Sequence, residues 1–149
     1  STAVNYSASQ TASGYNFITG STTLEAQTFN LDVDANGKVG AFSDGLMIVR
    51  KLMEAFPGDA LTDKAISPGA TRTTNEIDQY IQSGIDSKTL DVDNDGKVSA
   101  FGDGIMIMRH LMEAFPGQAL IDKAIDPTSP YAPSNWNAVV TNIENLMVG

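Results

Sequence analysis

The chain has 149 residues, 42% of them hydrophobic, and carries 18 acidic against 9 basic side chains for a net charge of −9. That balance argues against nucleic acid or an anionic membrane as the main partner, since both select clustered Lys and Arg. The absence of cysteine excludes a disulfide framework, a thiolate metal site and a cysteine nucleophile, and no apolar run is long enough for membrane insertion.

Residues 1–30 read as an extended Ser/Thr-rich N-terminal arm. Val4, Tyr6 and Ala8, then Tyr15 and Phe17, alternate as in extended segments, although glycines interrupt them. The segment is either a disordered leader or an arm whose backbone finds hydrogen-bond partners on another chain. Asn5-Tyr6-Ser7 matches a glycan acceptor pattern, so glycans on Asn5 or elsewhere on the arm are expected.

A stretch then occurs twice. LDVDANGKVGAFSDGLMIVRKLMEAFPGDALTDKAI runs from Leu31 to Ile66, and LDVDNDGKVSAFGDGIMIMRHLMEAFPGQALIDKAI runs from Leu90 to Ile125. About three positions in four are identical, so residues 31–88 and 89–149 read as two versions of one supersecondary unit packed as one domain. A chain of this length can bury roughly 70% of its unfolded surface, enough for an apolar core.

In the first unit a helix is expected over Gly45–Phe56, with Leu46, Val49, Met53 and Phe56, joined by Ile48 and Leu52, on its apolar stripe. Pro57-Gly58 should stop it. A second helix is expected over Thr74–Ser83, capped by Thr73 or Thr74, with Ile77, Tyr80 and Ile81 facing inward. The second unit repeats the pattern with Ile105, Met108, Met112 and Phe115, joined by Ile107 and Leu111, a stop at Pro116-Gly117, and a helix over Asn135–Met147 capped by Ser134. That last helix places Trp136, Val139, Val140, Ile143, Leu146 and Met147 on one side. The methionines read as core filler, with an exposed partner face as the alternative. The fold class expected is therefore all-α: duplicated loop-helix-turn-helix units of EF-hand type, with an extended arm.

Each loop carries oxygen-bearing side chains at alternate residues followed by glycine, the spacing a backbone needs to wrap around calcium. Loop one offers Asp32, Asp34, Asn36 and the Lys38 carbonyl, with Gly37 permitting the turn. Loop two offers Asp91, Asp93, Asp95 and the Lys97 carbonyl, with Gly96 at the turn and Ser99 available where loop one has Gly40. The position that ordinarily closes such a loop holds Ser43 or Gly102, and the acids stand one residue later at Asp44 and Asp103. A loop expanded by one residue and closed by these aspartates is the reading; helix caps only is the alternative. Two calcium ions, one per unit, are expected. The extra carboxylate of loop two should make it the tighter site, Asp91→Ala should cost more than Asp32→Ala, and magnesium should compete poorly.

The pattern DxDxxGK, followed by DGLMIVRKLM in one copy and DGIMIMRHLM in the other, resembles the duplicated loop-helix repeats of dockerin domains. ALTDKAISPGATRTTNEIDQYI is similar to dockerin-like repeats of secreted and cell-surface bacterial proteins. The resemblance covers Leu31 to about Ile85 and Leu90 to about Ile125. It implies an extracellular, calcium-dependent module without enzymatic activity, with Asp32, Asp34, Asn36, Asp91, Asp93 and Asp95 as ligands. The family often carries hydroxyl residues for cohesin recognition where this chain has Ala41-Phe42 and Ala100-Phe101, which argues against a cohesin of the cellulosome type. Phe42 and Phe101 read as core plugs under the loops, with a partner contact as the alternative.

An enzyme has little material here. The single histidine, His110, aligns with Lys51 and reads as part of a solvated helix face, and the candidate general acids are already assigned as ligands. Arg50 and Arg109, with Asp63 and Asp122, recur as ion pairs or caps. The chain starts at Ser1 without methionine, as a secreted protein does after its signal is removed. The expectation is an extracellular structural protein that self-assembles into a fibre or surface layer through its arm. The alternative is an adaptor tethering a secreted protein to a cohesin-like receptor on a scaffold or cell surface. An intracellular calcium sensor would want a glutamate closing each loop and a switching groove, and neither is evident.

Overall fold

A computed structural model describes residues 29–147. Among them are four α-helices and no strand: α1 (Leu46–Met53), α2 (Thr74–Asp86), α3 (Ile105–Met112) and α4 (Trp136–Glu144). The element order repeats with the sequence. A π-helical turn (Ala41–Gly45 or Ala100–Gly104) leads into α1 or α3, and a short 3₁₀ turn (Gly58–Leu61 or Gly117–Leu120) precedes α2 or α4. No described helix is long and apolar enough to cross a membrane.

Helix boundaries depart from the sequence expectation for identifiable reasons. α1 and α3 end at Met53 and Met112, before the prolines. Glu54 and Glu113 turn left-handed, each at φ 58°, and their N–H groups bond back to the carbonyls of Lys51 and His110. α2 runs on to Asp86, and its N-terminus is closed by a reciprocal box. Thr73 Oγ1 accepts from the Glu76 N–H, and the Glu76 carboxylate accepts from the Thr73 N–H. α4 is capped by Asn135 and not by Ser134, since the Asn135 side chain reaches the Ala138 N–H.

One apolar cluster draws on both halves: Leu31, Val33, Met47, Ile48, Ile77 and Ile81 from the first, and Leu90, Val92, Met106, Ile107, Val139 and Ile143 from the second. The deepest residues of α1 and α3 are Met47-Ile48 and Met106-Ile107, whereas Met53 and Met112 at the helix ends are about 40% exposed. The stripe is thus displaced toward the loop end of each helix, where the helix meets the opposite half. The first π-helical turn packs on α3 and the second on α1. A β-carbon on Gly45 would lie 3.2 Å from Leu111 Cδ1, and one on Gly104 would lie 3.3 Å from Leu52 Cδ1, so glycine permits both approaches.

Phe42 and Phe101 are not core plugs. They are 68% and 69% exposed, and Leu31 with Val33, and Leu90 with Val92, supply the apolar packing beside each loop instead. Arg50 and Arg109 act as caps. Arg50 Nη1 donates to the carbonyls of Ala60, Leu61 and Asp63, and Arg109 repeats the contacts at Ala119, Leu120 and Asp122. Lys51 pairs with Asp78 at 2.9 Å, and its counterpart His110 contacts Glu144, so this helix face is partnered and not simply solvated.

The expected arm and the Asn5 acceptor lie outside the described residues, apart from the arm's last two positions. Phe29 is buried, stacks on Tyr80 at 4.7 Å between ring centroids, and lies against Gly84. The Asn30 N–H donates to the Tyr80 hydroxyl. Leu31 N–H then bonds to the Leu146 carbonyl, so the entry to the first loop is held to the chain just past α4.

Candidate metal centres

The L-D-V-D start of each copy sends its valine into the core and its aspartates toward a common point. In loop one, carboxylate oxygens of Asp32, Asp34 and Asp44 lie within 4.8 Å of one another. In loop two the same holds for Asp91, Asp93, Asp95 and Asp103. Asp34, Asp44, Asp93 and Asp103 are essentially inaccessible to solvent, while Asp91 and Asp95 are partly exposed.

The aspartates one residue beyond the usual closing position reach the clusters because the extra residue is absorbed in a π-helical turn. Gly45 N–H bonds to the Gly40 carbonyl, and Gly104 N–H to the Ser99 carbonyl, each at 3.0 Å. Asp44 then does more than cap a helix. Its Oδ1 accepts from the Val33 N–H at 2.8 Å and its Oδ2 from the Gly40 N–H at 2.9 Å, bracing both ends of the loop. Asp103 makes the same contacts with Val92 and Ser99.

The remaining candidates surround these clusters. Asp32 accepts the N–H groups of Asn36 and Gly37, and Asp91 those of Asp95 and Gly96. Gly37 and Gly96 stand at φ 93° and 90°, which glycine tolerates and other residues rarely adopt. Asn36 Oδ1 accepts the Lys38 N–H, and Asp95 Oδ1 accepts the Lys97 N–H. The Lys38, Lys97 and Ser99 side chains are at the surface. For the two lysines only the backbone carbonyl is of interest as a donor.

Several residues that hold the loops carry no motif signal. Ser67 N–H donates to Asp34 Oδ2, and at the matching place Asp126 N–H donates to Asp93 Oδ2. Arg72 caps the carbonyls of Asp32 and Val33, stacked over Tyr80 at 3.6 Å. In the second half Asn142 bonds to the Val92 carbonyl and Ser129 to the Asp93 carbonyl. Different residue types do equivalent work in the two halves, so comparing the copies could not reveal them.

The electrostatics are those of acids crowded out of water. Burial pushes Asp44 up to about 6, and burial pushes Asp103 up to about 7, each aided by the neighbouring loop carboxylates. Burial, followed by the carboxyl of Asp95, raises Asp93 to about 7, and burial also raises Asp95. Among the described residues Asp34 Oδ1 is buried with no hydrogen-bond partner. An orphaned carboxylate oxygen costs about 1–3 kcal/mol or more, which a cation between the aspartates would offset. The clusters could therefore each hold a metal ion, and donors that are all oxygen favour a hard cation over zinc or copper.

Comparison with protein-family models, curated proteins and solved structures found no match to this chain.

Proposed function

We propose that each acidic cluster binds one calcium ion, and that the protein is a non-enzymatic extracellular structural protein whose body is stabilised by those ions. The observation that carries this reading is Asp34 Oδ1, a buried oxygen without a partner inside a cluster of three aspartates. Sequence duplication strengthens it, since a second cluster of convergent aspartates recurs around Asp93, whose two oxygens accept from the Asp95 and Asp126 N–H groups. Calcium suits the sites better than magnesium. It accepts about six to eight oxygens in adaptable geometry, and flexible loops of carboxylates and carbonyls supply such a shell. The Lys38 and Lys97 carbonyls, the Asn36 side chain and Ser99 are the further oxygens at hand. On this reading the two halves are the dockerin-like EF-hand units that the sequence resembles.

The second part of the proposal is assembly. Residues 1–28 would associate with the body of another copy, and such head-to-tail contacts build open fibres or layers when they do not close. One observation favours the adaptor reading instead: Phe42 and Phe101 are exposed at matching places in the two halves, as expected of a surface that meets a separate receptor domain.

Thermal melting in millimolar calcium and in chelator tests the first part. At about a hundredfold excess over Kd, each site contributes about 2.7 kcal/mol, so the chelator should lower Tm by many degrees. An unchanged melting curve would overturn the calcium assignment. Light scattering on the same two samples tests the second. Large species in calcium support self-assembly, and monomers in both leave the adaptor reading ahead.

A further inference from the structure

The two loops are not equal beyond their ligands. Where loop one meets Ser67, loop two meets Asp126. The Asp126 backbone N–H holds Asp93 Oδ2 at 3.0 Å, as the Ser67 N–H holds Asp34 Oδ2 at 2.9 Å. Asp126 adds a carboxylate that Ser67 lacks. That carboxylate is pinned through Oδ1 by the N–H and hydroxyl of Thr128, at 2.7 and 2.6 Å. Asp126 is outside the group of four convergent aspartates, so it neighbours the site without belonging to the inner shell.

We infer that Asp126 is an affinity-setting residue for the second site, an outer carboxylate that makes loop two bind divalent cations more tightly than loop one. The inference rests on the calcium reading above and goes beyond it. A fixed negative charge just outside a cation site favours the filled state through space, and the Asp126 N–H on Asp93 Oδ2 holds this one beside the cluster. The orphaned Asp34 Oδ1 identifies the matching centre in loop one, where Ser67 supplies the same backbone contact without the charge.

The test is a reciprocal exchange in the full-length chain, Asp126→Asn in one variant and Ser67→Asp in another. The decalcified proteins are titrated with calcium while NMR follows the amides of Gly96 and Gly37, each of which donates to an aspartate of its own loop. Asp126→Asn should weaken loop two about three- to tenfold at low salt, and Ser67→Asp should tighten loop one by a similar factor. Both effects should shrink as salt screens the outer charge. A gain at loop one cannot come from a lost structural contact, so it separates an electrostatic role from a merely structural one. If wild type binds calcium and neither exchange moves its own loop's midpoint, the inference is overturned while the calcium reading stands. If neither glycine responds to calcium in wild type, the calcium reading falls and the inference falls with it.

Discussion

At the residue scale the informative atom is Asp34 Oδ1. Among the described residues it is a buried oxygen with no hydrogen-bond partner, flanked by two further carboxylates. Asp34→Asn removes one charge from that cluster and replaces an orphaned acceptor with a group able to donate to Asp32 or Asp44. The variant should therefore be more stable than wild type in chelator, by about 1–2 kcal/mol, and less stable in millimolar calcium because a ligand charge is lost. Paired urea titrations with and without calcium read this crossing directly. A variant no more stable than wild type in chelator would show that the orphaned Asp34 oxygen carries no cost. The clustering of Asp32 with Asp34, and of Asp91 with Asp93 and Asp95, was legible in sequence because these acids stand at alternate residues of one short stretch. The exposure of Phe42 and Phe101 was not, because a π-helical turn changes which way a residue faces without changing the residues in it.

At the element scale, local chemistry and tertiary context divide the labour. α2 begins where a threonine stands three residues before a glutamate, and the box between Thr73 and Glu76 forms as that spacing allows. Thr73→Ala should cost about 1 kcal/mol, seen as a lower denaturation midpoint with unchanged slope. Because Thr71 and Arg72 bind the carbonyls of Ala35, Asp32 and Val33, fraying at this end should also loosen loop one. An unchanged midpoint would mean that packing of Ile77 and Ile81 alone sets where α2 begins. The ends of α1 and α3 were less legible. Proline marks where a helix cannot continue, but the chain stops three residues earlier, at a left-handed glutamate that no propensity favours. The apolar stripe was likewise displaced, since the face that matters is chosen by the opposite half's π-helical turn, a contact between residues far apart in sequence.

At the scale of the whole molecule, the loops couple stability to pH. Asp44, Asp93 and Asp103 hold their protons to about pH 6–7 when folded without metal, against an ordinary 3.8, chiefly because burial disfavours their charge. Between about pH 4 and 7 the metal-free folded state thus binds more protons than the unfolded chain, and its stability must fall as pH rises through that window. The metal-free protein should accordingly be more stable at pH 5 than at pH 8, by on the order of a few kcal/mol after allowance for the partial exposure of the loops. On the proposed reading calcium would reverse the trend. A cation taken up by the deprotonated carboxylates competes with protons, so its contribution would grow as pH rises. The gap in Tm between calcium and chelator should therefore be small at pH 5 and wide at pH 8, and calorimetric titration near pH 6.5 should release protons into the buffer. A gap independent of pH would show that the aspartates are already ionised and held apart by other means. The wide gap would instead mean that a single core shared by both halves is kept in register by ions that enter only once its buried acids give up their protons.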